Sequence, residues 1–179
     1  MSSGTTSPIK DYFKKWYGKT RTTMRVPGIS SLLWTFIAGF CGIWLISYFS
    51  LQAQLFPLFA PLGASAVLLY GASSAPFSQP RNLLGGHIIS ALTGVVYWHL
   101  LGDTGLAVAL AVASAIILML LTRTVHPPAG ATALLGVTVS NGSFLWVLTP
   151  VAVSACILLL VALVINNLDK QKSYPEFWF

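Results

Sequence analysis

Charge is what this sequence has least of. Of its 179 residues only 8% are charged, against about a quarter in a soluble domain of this size. Four are acidic: Asp11, Asp103, Asp169 and Glu176. Between Val26 and Leu168 the formal charges are Arg81, Asp103 and Arg123 alone, so the middle of the chain belongs in a membrane. With Asp103 at the end of an apolar run, the spans hold no carboxylate. A cation pathway or an acidic proton relay uses Asp or Glu inside the spans, and neither is expected. Cysteine is also scarce. Cys41 and Cys156 lie in apolar runs without a second ligand type at metal spacing, which marks packing residues and neither a disulfide nor a metal site. Enzymatic chemistry would need a nucleophile with a positioned base, or a metal cluster. The sequence offers neither, and no cofactor is expected.

What charge there is has a direction. The formal net charge of +6 does not point to nucleic acid. Lys10, Lys14, Lys15, Lys19, Arg21 and Arg25 crowd before the first apolar run, where they hold that end in the cytoplasm. Residues 1–28 also carry Tyr12, Phe13, Trp16 and Tyr17. Aromatics among lysines suit a helix lying in the headgroup region, and a disordered basic tail fits as well. The run after Arg25 is too long for a signal-peptide core.

The apolar chain is broken in a regular way. Ile29 to Ser50, Leu83 to Leu101, Leu106 to Thr122 and Phe144 to Leu168 are long enough to cross a bilayer. Leu51 to Pro61 reads as non-helical chain, and Leu62 to Ser74 as a helix too short to cross alone. Residues 61–68 read "PLGASAVL" and 128–135 read "PAGATALL". Both follow a long span and precede another, which points to an internal repeat. The expected architecture is an all-α membrane protein of two inverted repeats, 29–101 and 105–168. Each has two long transmembrane helices and a short broken half-helix. Residues 169–179 form a cytoplasmic tail. On three crossings per repeat, the basic residues all fall on the inner face and Asp103 outside, as the positive-inside tendency asks. Re-entrant half-helices would separate Arg81 from that face.

The breaks are made by proline. Proline lacks an N–H, fixes φ and pushes the preceding residue to extended backbone, so it starts helices and does not continue them. Pro127 and Pro128 after His126 therefore predict an abrupt helix start within the membrane, and Pro61 predicts another in the first repeat. A helix start presents unpaired N–H groups and about half a positive charge. Two such starts meeting near the bilayer midplane would make a donor-rich site suited to a small anion. Its expected lining is Gly63, Ala64 and Ser65 from one half-helix, with His126, Gly130, Ala131 and Thr132 from the other. His126 could donate to the anion or couple proton movement, or cap a carbonyl freed by the break. Arg81 and Arg123 are topological anchors and candidates for the inner mouth. His87, beside Gly85 and Gly86, suits either the pathway or packing. His99, four residues before Asp103, is expected in a surface pair. Tyr97, Trp98 and Trp146 suit the interfacial aromatic belt.

The stretch "RTVHPPAGATALL", with "PLGASAVLLYGASSAPFSQPRNLLGGH" (61–87), resembles the HPP family of integral membrane proteins, named for its His-Pro-Pro signature. The likeness covers most of 29–168. Members in cyanobacteria and chloroplasts are nitrite transporters. The resemblance therefore implies a nitrite carrier or channel in a cyanobacterial plasma membrane or a chloroplast envelope. It also makes His126, Pro127 and Pro128 signature positions. The family is described with fewer than six full spans. The residues alone leave nitrite, nitrate, formate and chloride open. A pore for water or nitrous acid, or a non-transport membrane subunit, is the alternative. The expected partners are the anion, the lipid bilayer and a further copy of the chain.

Overall fold

The computed structural model describes residues 26–52 and 59–179, with side chains described for 26–48 and 60–179. The basic N-terminal segment, with its expected interfacial helix, lies outside the described residues. Among these the fold is entirely helical. Helix α1 spans Ile29–Gln52, α2 Phe59–Ala66, α3 Pro80–Leu101, α4 Gly105–Leu121, α5 Ala129–Thr138 and α6 Val153–Leu168. A wide turn, Val67–Gly71, continues α2, a 3-10 turn covers Pro76–Ser78, and Val147–Ala152 leads into α6. Three helices are long and apolar enough to cross a membrane: α1, α3 and the helix over Val147–Leu168. Helix α4, at 17 residues, reaches about 25 Å at 1.5 Å per residue.

Several breaks fall elsewhere than expected. Residues 53–58, part of the stretch expected to be non-helical, lie outside the described residues. Phe59 and Ala60, ahead of Pro61, are already helical. The last span is interrupted at Thr149, whose φ of −132° and ψ of 113° are extended, ahead of Pro150. Trp146 is buried at 6% exposure and joins the core instead of an aromatic belt. Cys156 is exposed and Cys41 half-buried, so neither is a core thiol. His99 bonds the Gly142 carbonyl at 2.8 Å and stacks on Phe144, where a pair with Asp103 was expected.

Helix α3 is the axis of the bundle, packed against α5, α4 and the last span, while α1 lies on α6. Small residues make this approach possible. Ala107, Ala111 and Ala115 repeat every four residues on the buried stripe of α4, the spacing that lets membrane helices approach closely. Where α3 meets α5, a Cβ on Gly136 would stand 2.9 Å from the Gly94 Cα and 3.1 Å from the Ala91 carbonyl oxygen. The outer faces are apolar. Phe36, Phe40, Trp44 and Tyr48 form an exposed aromatic row along α1, and Leu120 and Leu121 stand out from α4.

The end of α6 and the chain after it hold acceptors left open at the end of the first half-helix and in the turns that follow it. Asn166 Nδ2 donates to Leu69 O at 2.9 Å, and Lys172 Nζ to Tyr70 O at 2.9 Å and to Thr35 Oγ1. Tyr174 OH donates to Ser78 O at 2.7 Å, and Glu176 N to the Gln79 side-chain oxygen. Ser31 Oγ and the Gln171 N–H both donate to the buried Asp169 carboxylate, holding it below the ordinary aspartate range. Burial pushes Lys172 down against the opposing pull of Asp169, and pushes the Tyr174 phenol up.

Gly136→Leu forces the α3–α5 crossing apart and should cost at least the 1–3 kcal/mol, roughly, of an overpacked core. The loss is read as a lowered Tm in detergent, with Leu134→Ala at an exposed site as control. The depressed Asp169 gives stability that is present above the ordinary aspartate pKa and is lost as pH falls through its lower folded value. The Tm advantage of the parent over Asp169→Ala should therefore be constant near neutrality and shrink in acid. An advantage independent of pH would refute the assignment.

Candidate functional site

Inside this apolar bundle four polar side chains meet with no exposed surface: Ser65, His87, His126 and Thr132, each at 0% exposure. They come from four places in the chain. Ser65 is on α2, His87 on α3, Thr132 on α5, and His126 stands in the extended link before the two prolines. Ser65 Oγ lies 2.9 Å from His87 Nε2 and 2.8 Å from His126 Nε2. His87 Nδ1 is 2.8 Å from Thr132 Oγ1, and His126 Nδ1 donates to Phe77 O at 2.8 Å. The two imidazoles are tilted with centroids 5.0 Å apart. Ser65 Oγ also reaches the Pro61 carbonyl at 2.9 Å.

The local sequence explains each placement. The prolines end the preceding turn, so His126 is held on extended chain instead of on a helix face. Gly86 clears its seat: a Cβ there would lie 2.6 Å from the His126 Cβ and 3.0 Å from the Thr124 carbonyl oxygen. Gly85 does the same for Thr124. Asn82 Nδ2 donates to the Val125 carbonyl at 2.8 Å, tying α3 to the residue before His126. Ser65 and Thr132 occupy the same place in the two repeated segments, Pro-x-Gly-Ala-[Ser/Thr], and they meet His87 on its two different nitrogens.

The amide cradle expected at the second half-helix is closed. The N–H groups of Ala129, Gly130 and Ala131 donate to the carbonyls of His126, Pro127 and Pro128 at 2.9, 3.2 and 3.1 Å. The turn that the prolines impose brings those carbonyls under the helix start, so the amides are already paired. Ala64 and Ala131 are exposed, and Gly63 and Gly130 have open space where a Cβ would be, so these four border the bundle instead of the buried cluster. Of the expected binding residues the fold unites Ser65, His126 and Thr132. It adds His87, which had been placed on a pathway or in packing. Sequence reading missed Asn82 and the Phe77 carbonyl. The Gly85-Gly86 pair before His87 was the available signal, because two adjacent glycines in a helix mark a close approach. A backbone carbonyl leaves no signal at all.

A second feature opens next to the cluster. Arg81, Asn82 and Arg123 line a pocket of about 360 Å³ with Phe77 and Val125. Arg123 has a φ of 57°, and Arg81 Nη2 donates to Thr122 O at 2.7 Å. Two arginines 42 residues apart thus line one pocket, beside the residue whose carbonyl holds His126. No group of three or more potential metal ligands occurs among the described residues.

These features describe a multi-span helical membrane protein with a polar site sealed inside it and a pocket lined by two arginines beside that site. The sequence model of the HPP transmembrane region matches residues 24–175, and the chain belongs to the HPP family. It is similar to two proteins of Dictyostelium discoideum, both described as transmembrane proteins. One is 39% identical over 96% of this chain and 64% of its own length, the other 36% identical over 94% and 57%. The chain thus spans about three fifths of these relatives. No solved structure matches it.

Ser65→Ala leaves the neighbouring imidazole nitrogens without a partner and should cost about 1–3 kcal/mol, the penalty of an unsatisfied buried polar group. Ser65→Thr, which keeps the hydroxyl, should cost less. Thermal unfolding in detergent checks the order of the two, and equal Tm values for Ala and parent would show the bonds to be idle.

Proposed function

We propose that the protein moves a small monovalent anion across the membrane, with nitrite the first substrate to test. The observation that carries this reading is the pairing of Arg81 with Arg123 at one pocket, in a spanning region otherwise poor in charge. Low-dielectric walls strengthen the field of two guanidinium groups and raise the local concentration of an anion. Asn82 adds an amide to the same lining. The amides of α5 being occupied, the polar groups that would meet the anion beyond the mouth are side chains: His126, Ser65, His87 and Thr132. Full burial of those four means that passage requires the link carrying His126 to move.

The repeats 29–101 and 105–168 are read as inverted copies. Support comes from Ser65 and Thr132, which approach His87 from its opposite nitrogens as repeat-related hydroxyls would across a pseudo-twofold axis. The mouth is read as cytoplasmic, since Arg81, Arg123 and the chain after α6 gather there: Phe177 and Phe179 line the pocket that holds both arginines. That clustering fits the positive-inside tendency.

Purified protein in liposomes should take up nitrite. Arg81→Gln combined with Arg123→Gln should raise KM about tenfold, the equivalent of about 1.4 kcal/mol of lost attraction, with a smaller change in kcat. Imposing an inside-positive potential should accelerate uptake. Uptake indifferent to voltage and to both arginines would assign the passage to a neutral species such as nitrous acid.

A further inference from the structure

We propose that Thr132, His87, Ser65 and His126 form a proton relay, so that the protein carries protons in addition to its anion. Only the identity of the proton acceptor rests on the anion reading; the relay itself rests on the direction of four hydrogen bonds.

That direction follows from one atom. The Phe77 carbonyl can only accept, so Nδ1 of His126 bears the hydrogen. In a neutral imidazole Nε2 is then an acceptor, and Ser65 Oγ, 2.8 Å away, donates to it. Ser65 has a single proton, so at 2.9 Å it accepts from His87 Nε2. His87 Nδ1 is then bare and takes the hydroxyl proton of Thr132 at 2.8 Å. Every bond points the same way, and the two histidines hold opposite tautomers. Neutrality itself is set by the surroundings, because a lone imidazolium would be buried without a carboxylate to balance it.

Ser65 is the switch in this chain. Its hydroxyl has a second acceptor, Pro61 O at 2.9 Å. If it turns there, His126 Nε2 faces the serine oxygen with no hydrogen between them. The contact is satisfied again only when His126 Nε2 itself carries a hydrogen. The rotation of one hydroxyl is thereby tied to the protonation of His126.

One transfer balances simply. Thr132, itself fully buried, gains a proton when a water reaches it and gives its own to His87 Nδ1. His87 gives its Nε2 proton to Ser65, and Ser65 gives its own to His126 Nε2. His126 releases its Nδ1 proton to water or to a basic anion in the pocket lined by Phe77, Arg81 and Arg123. One proton enters, one leaves, and no bond between heavy atoms changes. Afterwards a bare Nδ1 faces the Phe77 carbonyl. That contact must open before the relay resets, at the wall between the cluster and the mouth. A proton needs no open passage through the sealed cluster, whereas an ion does.

The neighbouring elements bring few competing groups. Helices α4 and α5 contain no titratable residue, and α6 contains Cys156 alone. Tyr70, after α2, donates to Leu158 O. On α3, Arg81 is at the mouth, Tyr97 pairs with Ser114, and His99 bonds Gly142 O. From α1 come Cys41 and Tyr48.

The test uses the full chain in liposomes containing a pH-sensitive dye, with an inward nitrite gradient as driving force and the membrane potential clamped by valinomycin and equal potassium. Nitrite and proton fluxes are recorded together against protein-free vesicles, which correct for nitrous acid leak. Proton flux should fall at least tenfold in Ser65→Ala and survive in Ser65→Thr. Nitrogen-15 NMR of histidine-labelled parent protein should show His126 protonated on Nδ1 and His87 on Nε2, which holds the proposal to account even if Ser65→Ala fails to fold. The same tautomer in both rings, or nitrite flux without protons, would overturn the relay, and the latter would leave anion transport standing. Ser65-dependent proton flux without nitrite flux would uphold the relay and remove nitrite as the substrate.

Discussion

A polar group sealed in an apolar bundle must find its hydrogen-bond partners within the protein, and His87 is where this constraint is tightest. Both of its ring nitrogens are paired, one with Ser65 and one with Thr132, and the ring has no exposed surface. Meeting that demand needs two further segments, α2 and α5, to arrive within hydrogen-bond distance of one helix. In hydrocarbon the alternative is several kcal/mol of unsatisfied polarity per group, which makes the network a strong organiser of the packing around α3.

The glycines and alanines are the means by which the helices obey. Gly86 admits His126, Gly85 admits Thr124, and Gly94 with Gly136 lets α3 and α5 come together backbone to backbone. Between helices in lipid the hydrophobic effect gives no drive to associate, so close packing and interhelical hydrogen bonds carry the association. In this fold the two act at the same crossing. Helix α5 brings Thr132 to His87 and Gly136 to Gly94 along one contact with α3.

Broken helices create a second demand, because each break frees backbone groups. The structure meets it differently at the two breaks. At the second, the Pro127–Pro128 turn folds its own carbonyls under the first amides of α5. At the end of the first half-helix, the carbonyls of Leu69 and Tyr70 are taken by Asn166 and Lys172 from the far end of the spanning region. The first half-helix is thereby tied to the last span, and its end is held by a segment whose Asp169 is itself fixed by Ser31 on α1.

The sequence by itself determined the apolar spans, the positions of most breaks, the paired Pro-x-Gly-Ala-[Ser/Thr] segments and the candidacy of Ser65, His126 and Thr132. These are local properties: hydropathy over a helix length, the missing N–H of proline, and a motif that repeats. Only the three-dimensional structure decided that His87 lies between the two repeated hydroxyls, that Arg81 and Arg123 line one pocket, and that the local turn at Pro127–Pro128 already occupies the amides after it. His87 stands 22 and 45 residues from its two partners, and the backbone carbonyls of Phe77 and Pro127 carry no mark in the sequence. Which lone pair faces which hydrogen depends on how helices cross, and a crossing is settled by packing along whole faces, not by any short run of residues.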